Sequence, residues 1–129
     1  MPGRLQDKVC VVTGAAGGIG LATAQRFLEE GAIVVGVDLA QSPVASLSLE
    51  VDVTDEAAVR GLYERVAEEY GRVDVLFNNA GINPPDDSSI LETDYEVWQR
   101  VQDVNLRSVF FCCKYGIPHL LRNEGPRKG

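Results

Sequence analysis

Basic residues are scarce: 12 lysines and arginines stand against 19 acidic residues in a chain of 129, a formal charge of −7. No stretch concentrates the basic ones, so the chain would repel a phosphate backbone, and nucleic acid is excluded as a partner. Histidine occurs once, at His119. That leaves no cluster for a transition metal and no obvious general base, and a residue just after Pro118 near the end of a helical pattern has a surface or helix-end role. The three cysteines, Cys10, Cys112 and Cys113, are odd in number and two are adjacent. This fits neither a disulfide framework nor a zinc spacing and points to small buried hydrophobes. No run approaches the ~20 apolar residues of a membrane helix, and the polar MPGRLQDK leads straight into VCVV without a signal-peptide core. The expectation is a cytoplasmic, single-domain protein spanning 1–129, without metal.

What is present alternates between two periods. Val9 to Val12 is a continuous apolar run ending near Gly14, and Ile19 to Glu30 carries Ile19, Ala22, Ala24, Phe27 and Leu28 at helical spacing before Gly31. This predicts strand, glycine turn and helix, with Gly31 at the C-cap. Ile33 to Val37 and Leu47 to Val53 read as a second and third strand. Thr54 is placed as the cap of a helix that carries Val59, Leu62, Tyr63, Val66 and Tyr70 and ends at Gly71. A fourth strand, Val73 to Phe77, leads into the loop NNAGINPPDDSS. From about Asp94 to Gly116 one long helix is predicted, kinked or stopped near Gly116 and Pro118. In it the Tyr95 and Trp98 pair and Val109 to Phe111 read as core or packing surface. The last eight residues read as a loop. Strands alternating with helices predict an α/β fold, a doubly wound parallel sheet of Rossmann-like type.

Ligands of such sheets bind beyond the carboxyl ends of the strands, where the Gly14 turn, Asp38, Asp52 and Asn79 all fall. Between the first strand and helix stands TGAAGGIG, in which Gly14, Gly18 and Gly20 permit a tight turn and a bare backbone at a helix N-terminus, suited to a pyrophosphate. Taken alone, the motif equally fits a glycine-rich structural turn. Asp38 lies 18 positions after Gly20, near the interval at which an acid reaches the adenine ribose hydroxyls. Its carboxylate would repel a 2′-phosphate, and Gly17 and Leu39, the places for a phosphate-holding base, are uncharged. The combination favours NAD over NADP.

Together, TGAAGGIG, the strand-end Asp38, Asp52-Val53, NNAG at Asn78 to Gly81, and Asn105 in VQDVNLRSVFF strongly resemble the short-chain dehydrogenase/reductase family, from Lys8 to about Asn123. The resemblance implies that Gly14, Gly17, Gly18, Ile19 and Gly20 hold the cofactor pyrophosphate, Asp52 and Val53 face the adenine, and Asn79 and Gly81 line the cleft. It implies that Asn105 is the family's active-site asparagine, which helps to organise a proton relay. Relatives are commonly dimers or tetramers, so a homo-oligomer is implied in the same way. Residue by residue, blander readings stay open: Asp52 as a turn cap, Asn78 and Asn79 as loop ties, Asn105 as a mid-helix polar residue.

Hydride transfer in this family also needs a tyrosine whose pKa is lowered by a lysine four positions on, and a serine that orients the substrate oxygen. The tyrosines here are Tyr63, Tyr70, Tyr95 and Tyr115, followed at that distance by Ala67, Asp74, Gln99 and His119. The chain therefore reads as the NAD-binding first half of an oxidoreductase acting on an alcohol or carbonyl substrate, with an incomplete sheet. By itself it is expected to be inert. The alternative is a non-catalytic short product that binds a dinucleotide or a partner.

Overall fold

The structure, a computed structural model, describes residues 2–125. Four parallel strands, β1 (Val9–Thr13), β2 (Ile33–Asp38), β3 (Leu47–Glu50) and β4 (Val75–Phe77), pair in the order β3-β2-β1-β4. The chain winds outward from β1 through β2 to β3, then crosses back to lay β4 on the other side of β1. That reversal between β1 and β4 is the switch point at which a doubly wound sheet opens a crevice. The doubly wound α/β expectation holds, with β4 as an edge.

β1 is buried at every position because both faces of the sheet are covered, which is why VCVV reads as an unbroken apolar run. Val9, Val11, Val35 and Val37 face one layer with Val59, Leu62, Tyr63, Val66 and Phe111. Cys10, Val12 and Val34 face the other with Ala15 and Ala24. The first layer is covered by α2 (Glu56–Tyr70) and a carboxy-terminal helix, the second by α1 (Gly18–Glu29). Cys10 and Cys112 are buried and Cys113 half-buried, all as free thiols.

Several boundaries differ from expectation. The third strand stops at Glu50 rather than Val53, and the fourth starts at Val75 rather than Val73. The cap of α2 is Asp55, not Thr54: the Asp55 carboxylate accepts from the Ala58 amide at 3.1 Å, whereas the Thr54 hydroxyl is spent on Asp52. Gly71 closes α2 in the left-handed conformation, as predicted.

The predicted single long helix is α3 (Tyr95–Gln102), a π turn (Asp103–Arg107) and α4 (Ser108–Leu121) in succession. In the π turn the Ser108 amide bonds back to the Asp103 carbonyl, and the Ser108 hydroxyl takes over the Val104 carbonyl. Neither Gly116 nor Pro118 stops α4. A Cβ on Gly116 would meet Leu76 at 2.7 Å and Tyr63 at 3.1 Å, so this glycine lets the helix lie close on β4. Beyond Pro118, Leu120 packs on the core and His119 stacks on Tyr63, so tertiary contacts hold the last turn. His119 thus takes the helix-end place expected. Tyr95, Trp98 and Phe110 are not core: they are 68%, 50% and 61% exposed, Tyr95 and Trp98 stacking on each other, while Phe111 alone of that set is buried. Arg122 caps α4, Asn123 is buried, and 126–129 of the predicted terminal loop lie outside the described residues.

Candidate functional site

A cleft of about 620 Å³ opens at the switch point. One wall is the turn between β1 and α1. The Gly14 amide donates to the Val37 carbonyl at 2.7 Å, which hooks the turn onto the end of β2. Asp38 tightens the hook, its carboxylate accepting from the Ala16 amide at 3.0 Å and the Leu39 amide at 2.8 Å. The strand-end acid and the glycine turn are therefore one rigid unit. Gly17 caps α1 with extended backbone and no side-chain hydrogen bond, so the first amides of the helix face the cleft without a protein cap. Nothing lies within 4 Å of a Cβ built on Gly17 or Gly18, whereas one on Gly20 would sit 2.0 Å from the Gly14 carbonyl oxygen. Gly17 and Gly18 keep the mouth open, and Gly20 lets α1 press on the turn.

The opposite wall is the loop after β4. Thr13, at the end of β1, accepts through its hydroxyl from the amides of Asn79 and Ala80, both at 3.0 Å. The Asn79 side chain returns a hydrogen bond to the Thr13 carbonyl at 3.2 Å. Asn105 lies on the π turn and clamps the same loop further on: its Oδ1 accepts from the Ile82 amide at 2.7 Å and its Nδ2 donates to the Ile82 carbonyl at 2.9 Å. The far end of the cleft is the turn at Asp52, whose carboxylate accepts from the Thr54 amide at 2.9 Å and hydroxyl at 2.7 Å. Those two bonds, with the charge of Arg107 behind them, hold the Asp52 carboxyl below its usual range.

Gly14, Gly17, Gly18, Ile19, Asp38, Asp52, Val53, Asn79 and Gly81 thus line one cleft. Gly20 is buried behind the glycine turn. Asn105 stands behind Ile82 and acts on the wall rather than forming it. The family model for short chain dehydrogenase matches residues 8–127. The chain belongs to the short-chain dehydrogenase family.

Among curated relatives, this chain is 42% identical over 132 aligned residues to meso-2,3-butanediol dehydrogenase of Serratia marcescens, covering 95% of this chain and 52% of that one. It is 37% identical to a 3-oxoacyl-[acyl-carrier-protein] reductase of Thermotoga maritima, covering 94% and 53%. The ligand-free structure of Thermoplasma acidophilum aldohexose dehydrogenase superposes with a TM-score of 0.87 at 37% identity, over 95% of this chain and 48% of that chain. The chain spans about half the length of these relatives and corresponds to their N-terminal half.

Sequence reasoning missed several residues that the fold brings to the site. Val51, Thr54, Ala80, Ile82 and Val104 all line the cleft, beside Leu39. Thr13 is buried and pins the Asn79 loop, and its position directly before Gly14 was the available signal. Outside the cleft, at the amino end of the sheet, Asp74, 4% exposed, accepts from the Val9 amide at 2.8 Å and from Arg72 Nε at 2.9 Å. An acid heading an apolar strand was the clue to it. None of the four tyrosines lines the cleft: Tyr63 is buried under α4, Tyr115 donates to Glu56 at 2.9 Å, and Tyr95 bonds Gln99 on α3.

Proposed function

We propose that this chain is the NAD-binding half of a short-chain oxidoreductase whose whole protein transfers hydride between a nicotinamide cofactor and an alcohol or carbonyl carbon. The observation that carries the reading is the rigid unit of Asp38 and the glycine turn on one wall of a cleft at the switch point. A dinucleotide fits the residues present. Gly17 and Gly18 leave room for a close ligand beside uncapped helix amides, which would hold the pyrophosphate. Asp38 would take the adenine ribose hydroxyls, and Leu39 and Val53 offer apolar surface for the base, beside Asp52. When bound, the nicotinamide accepts or delivers the hydride. Asn79 and Gly81 would line its cleft, and Asn105 would fix the Ile82 segment through its two hydrogen bonds.

The preference for NAD rests on charge. An ionised Asp38 beside neutral Gly17 and Leu39 disfavours a 2′-phosphate. The cleft holds no tyrosine to act as the acid/base, so these 129 residues bind without turnover, and a cytoplasmic homo-oligomer is the setting proposed for the whole protein. Thermal unfolding with each cofactor tests the reading: ligand at ~100 times its Kd adds ~2.7 kcal/mol of stability. A larger shift with NAD than with NADP, reduced by Asp38→Asn, is expected; equal shifts, or none, would reject it.

A further inference from the structure

The Asp52–Thr54 turn is a thin partition. On one side is the cleft, and on the other a second groove of about 510 Å³ between this turn and α3; Leu39, Asp52, Thr54 and Val104 line both. Val53, buried in the core, anchors the middle of the turn, but Asp52 and Thr54 on either side of it face the two grooves, so their placement also depends on contacts from behind. Those come from a ladder of side chains at four-residue spacing. Tyr95 donates its hydroxyl to Gln99 at 3.0 Å, and Gln99 donates its amide to Asp103 at 2.8 Å. Asp103 pairs with Arg107 at 3.3 Å, and Arg107 donates its other terminal nitrogen to the Thr54 carbonyl at 3.3 Å.

Asp103 and Arg107 are the first and last residues of the π turn, the same turn that carries Asn105. The guanidinium also lies 5.8 Å over the Phe111 ring, which limits where it can swing. One turn further along α4, Lys114 and Tyr115 reach Glu56 at 3.4 and 2.9 Å, so the helix grips the start of α2 as well.

We propose that Arg107, seated by Asp103, is a positioning residue for the adenosine end of the dinucleotide: it holds the Thr54 carbonyl, and through it the Asp52 turn, at the distance the adenine requires. This rests on the dinucleotide reading above. Arg107 does not line the cleft. Its planar fork spans Asp103 and the Thr54 carbonyl together, which a lysine ammonium does less well.

The test measures ADP-ribose and nicotinamide mononucleotide binding to the whole protein by titration calorimetry, for wild type, Arg107→Ala, Arg107→Lys and Asp103→Asn. The Arg107 side chain is 46% exposed, so its loss leaves the core intact. Arg107→Ala is expected to weaken ADP-ribose about fivefold, the scale of one long, solvent-exposed hydrogen bond, with nicotinamide mononucleotide unchanged. Arg107→Lys restores part of the loss, and Asp103→Asn gives a smaller loss of the same kind. Unchanged ADP-ribose affinity in all three variants overturns the proposal while leaving the dinucleotide reading in place. An equal loss for both ligands overturns it too, since that is general loosening. Failure of the wild type to bind ADP-ribose rejects both readings.

Discussion

Gly20 and Gly17 sit three residues apart, yet alanine at each is expected to do opposite things. A Cβ on Gly20 would lie 2.0 Å from the Gly14 oxygen and 2.7 Å from Asn79 Nδ2. Neither can yield cheaply, because Gly14 is hooked to Val37 and Asn79 is bonded to Thr13. The first turn of α1 must therefore lift off by more than an ångström. Overpacking of this kind costs roughly 1–3 kcal/mol, and contact with main chain places it near the upper end. Replacing glycine stiffens the unfolded chain and returns ~0.5 kcal/mol, so the net loss is about 2 kcal/mol, or roughly 8 °C in melting temperature. Gly17 has extended backbone and no neighbour within 4 Å, so Gly17→Ala is expected to melt at or slightly above the wild-type temperature. Its methyl group, however, projects at the mouth of the cleft, and NAD affinity is expected to fall about tenfold or more by exclusion of the closest approach. Thermal unfolding and NAD titration on both variants decide the matter. A Gly20→Ala protein that melts with the wild type, or a Gly17→Ala protein that melts with Gly20→Ala, would refute the account of which glycine serves packing and which serves access.

Other consequences concern the frame of the sheet and the loop beyond it. Asp74→Ala leaves the buried Val9 amide without its acceptor and releases Arg72, and is expected to cost about 2–3 kcal/mol in a chemical denaturation series; Asp74→Asn, keeping one acceptor, costs less. Burial, with help from the Asp74 charge, pushes the Cys10 thiol up to about 12, and burial pushes Cys112 up to about 11. Both stay protonated at pH 8, so native alkylation read by mass spectrometry is expected to label Cys113 first; equal labelling of all three would contradict the burial. These folded-state values lie above the ordinary 9.0, so the thiols' contribution is complete below about pH 9 and is lost as pH rises toward 11 and 12. Asn105→Ala removes both bonds to Ile82, and hydrogen exchange at the Ile82 amide is expected to accelerate about fivefold or more while the amides of β1 stay protected.

The parts of the fold legible in the sequence were those written in periodic apolar residues. Two-sided burial of β1 and β2 produced unbroken valine runs, and the α2 stripe of Val59, Leu62, Tyr63 and Val66 is the face that sits in the core. The carboxy-terminal helix was harder because two local rules were overridden by tertiary contacts. Gly116 reads as a stop but lies in a helix because Leu76 and Tyr63 press against it, and Pro118 is tolerated because His119 and Leu120 are held from outside. The π turn had no periodic signature at all: it is a one-residue shift, stabilised by the Ser108 hydroxyl and by Asn105 reaching a loop 23 residues earlier. In the cleft, glycine spacing and the strand-end acid marked one wall. On the other wall, Asn79, Gly81 and Asn105 were marked by their motifs, whereas the bonds by which Thr13, Asn79 and Asn105 fix that wall are long-range and are not readable from periodicity.

Thr13 shows why the two walls keep their distance. The strand β4 is an edge of only three residues, paired to β1 from Cys10 to Val12, and such a short edge has little register strength of its own. Its loop nevertheless has to face the glycine turn at a fixed width if a ligand is to touch both. The Thr13 hydroxyl accepts from two successive amides just where the ladder ends, and the Asn79 side chain answers on the Thr13 carbonyl. These bonds extend β1–β4 pairing past the last strand residue by side-chain means. Because Gly14 follows Thr13 directly and is itself hooked to β2, one residue at the end of the central strand references both walls to the same backbone. The width of the cleft is thus set by the buried strand β1 rather than by the exposed loops that line it, and the sequence of the loop at 83–94 can vary without altering the distance between the two walls.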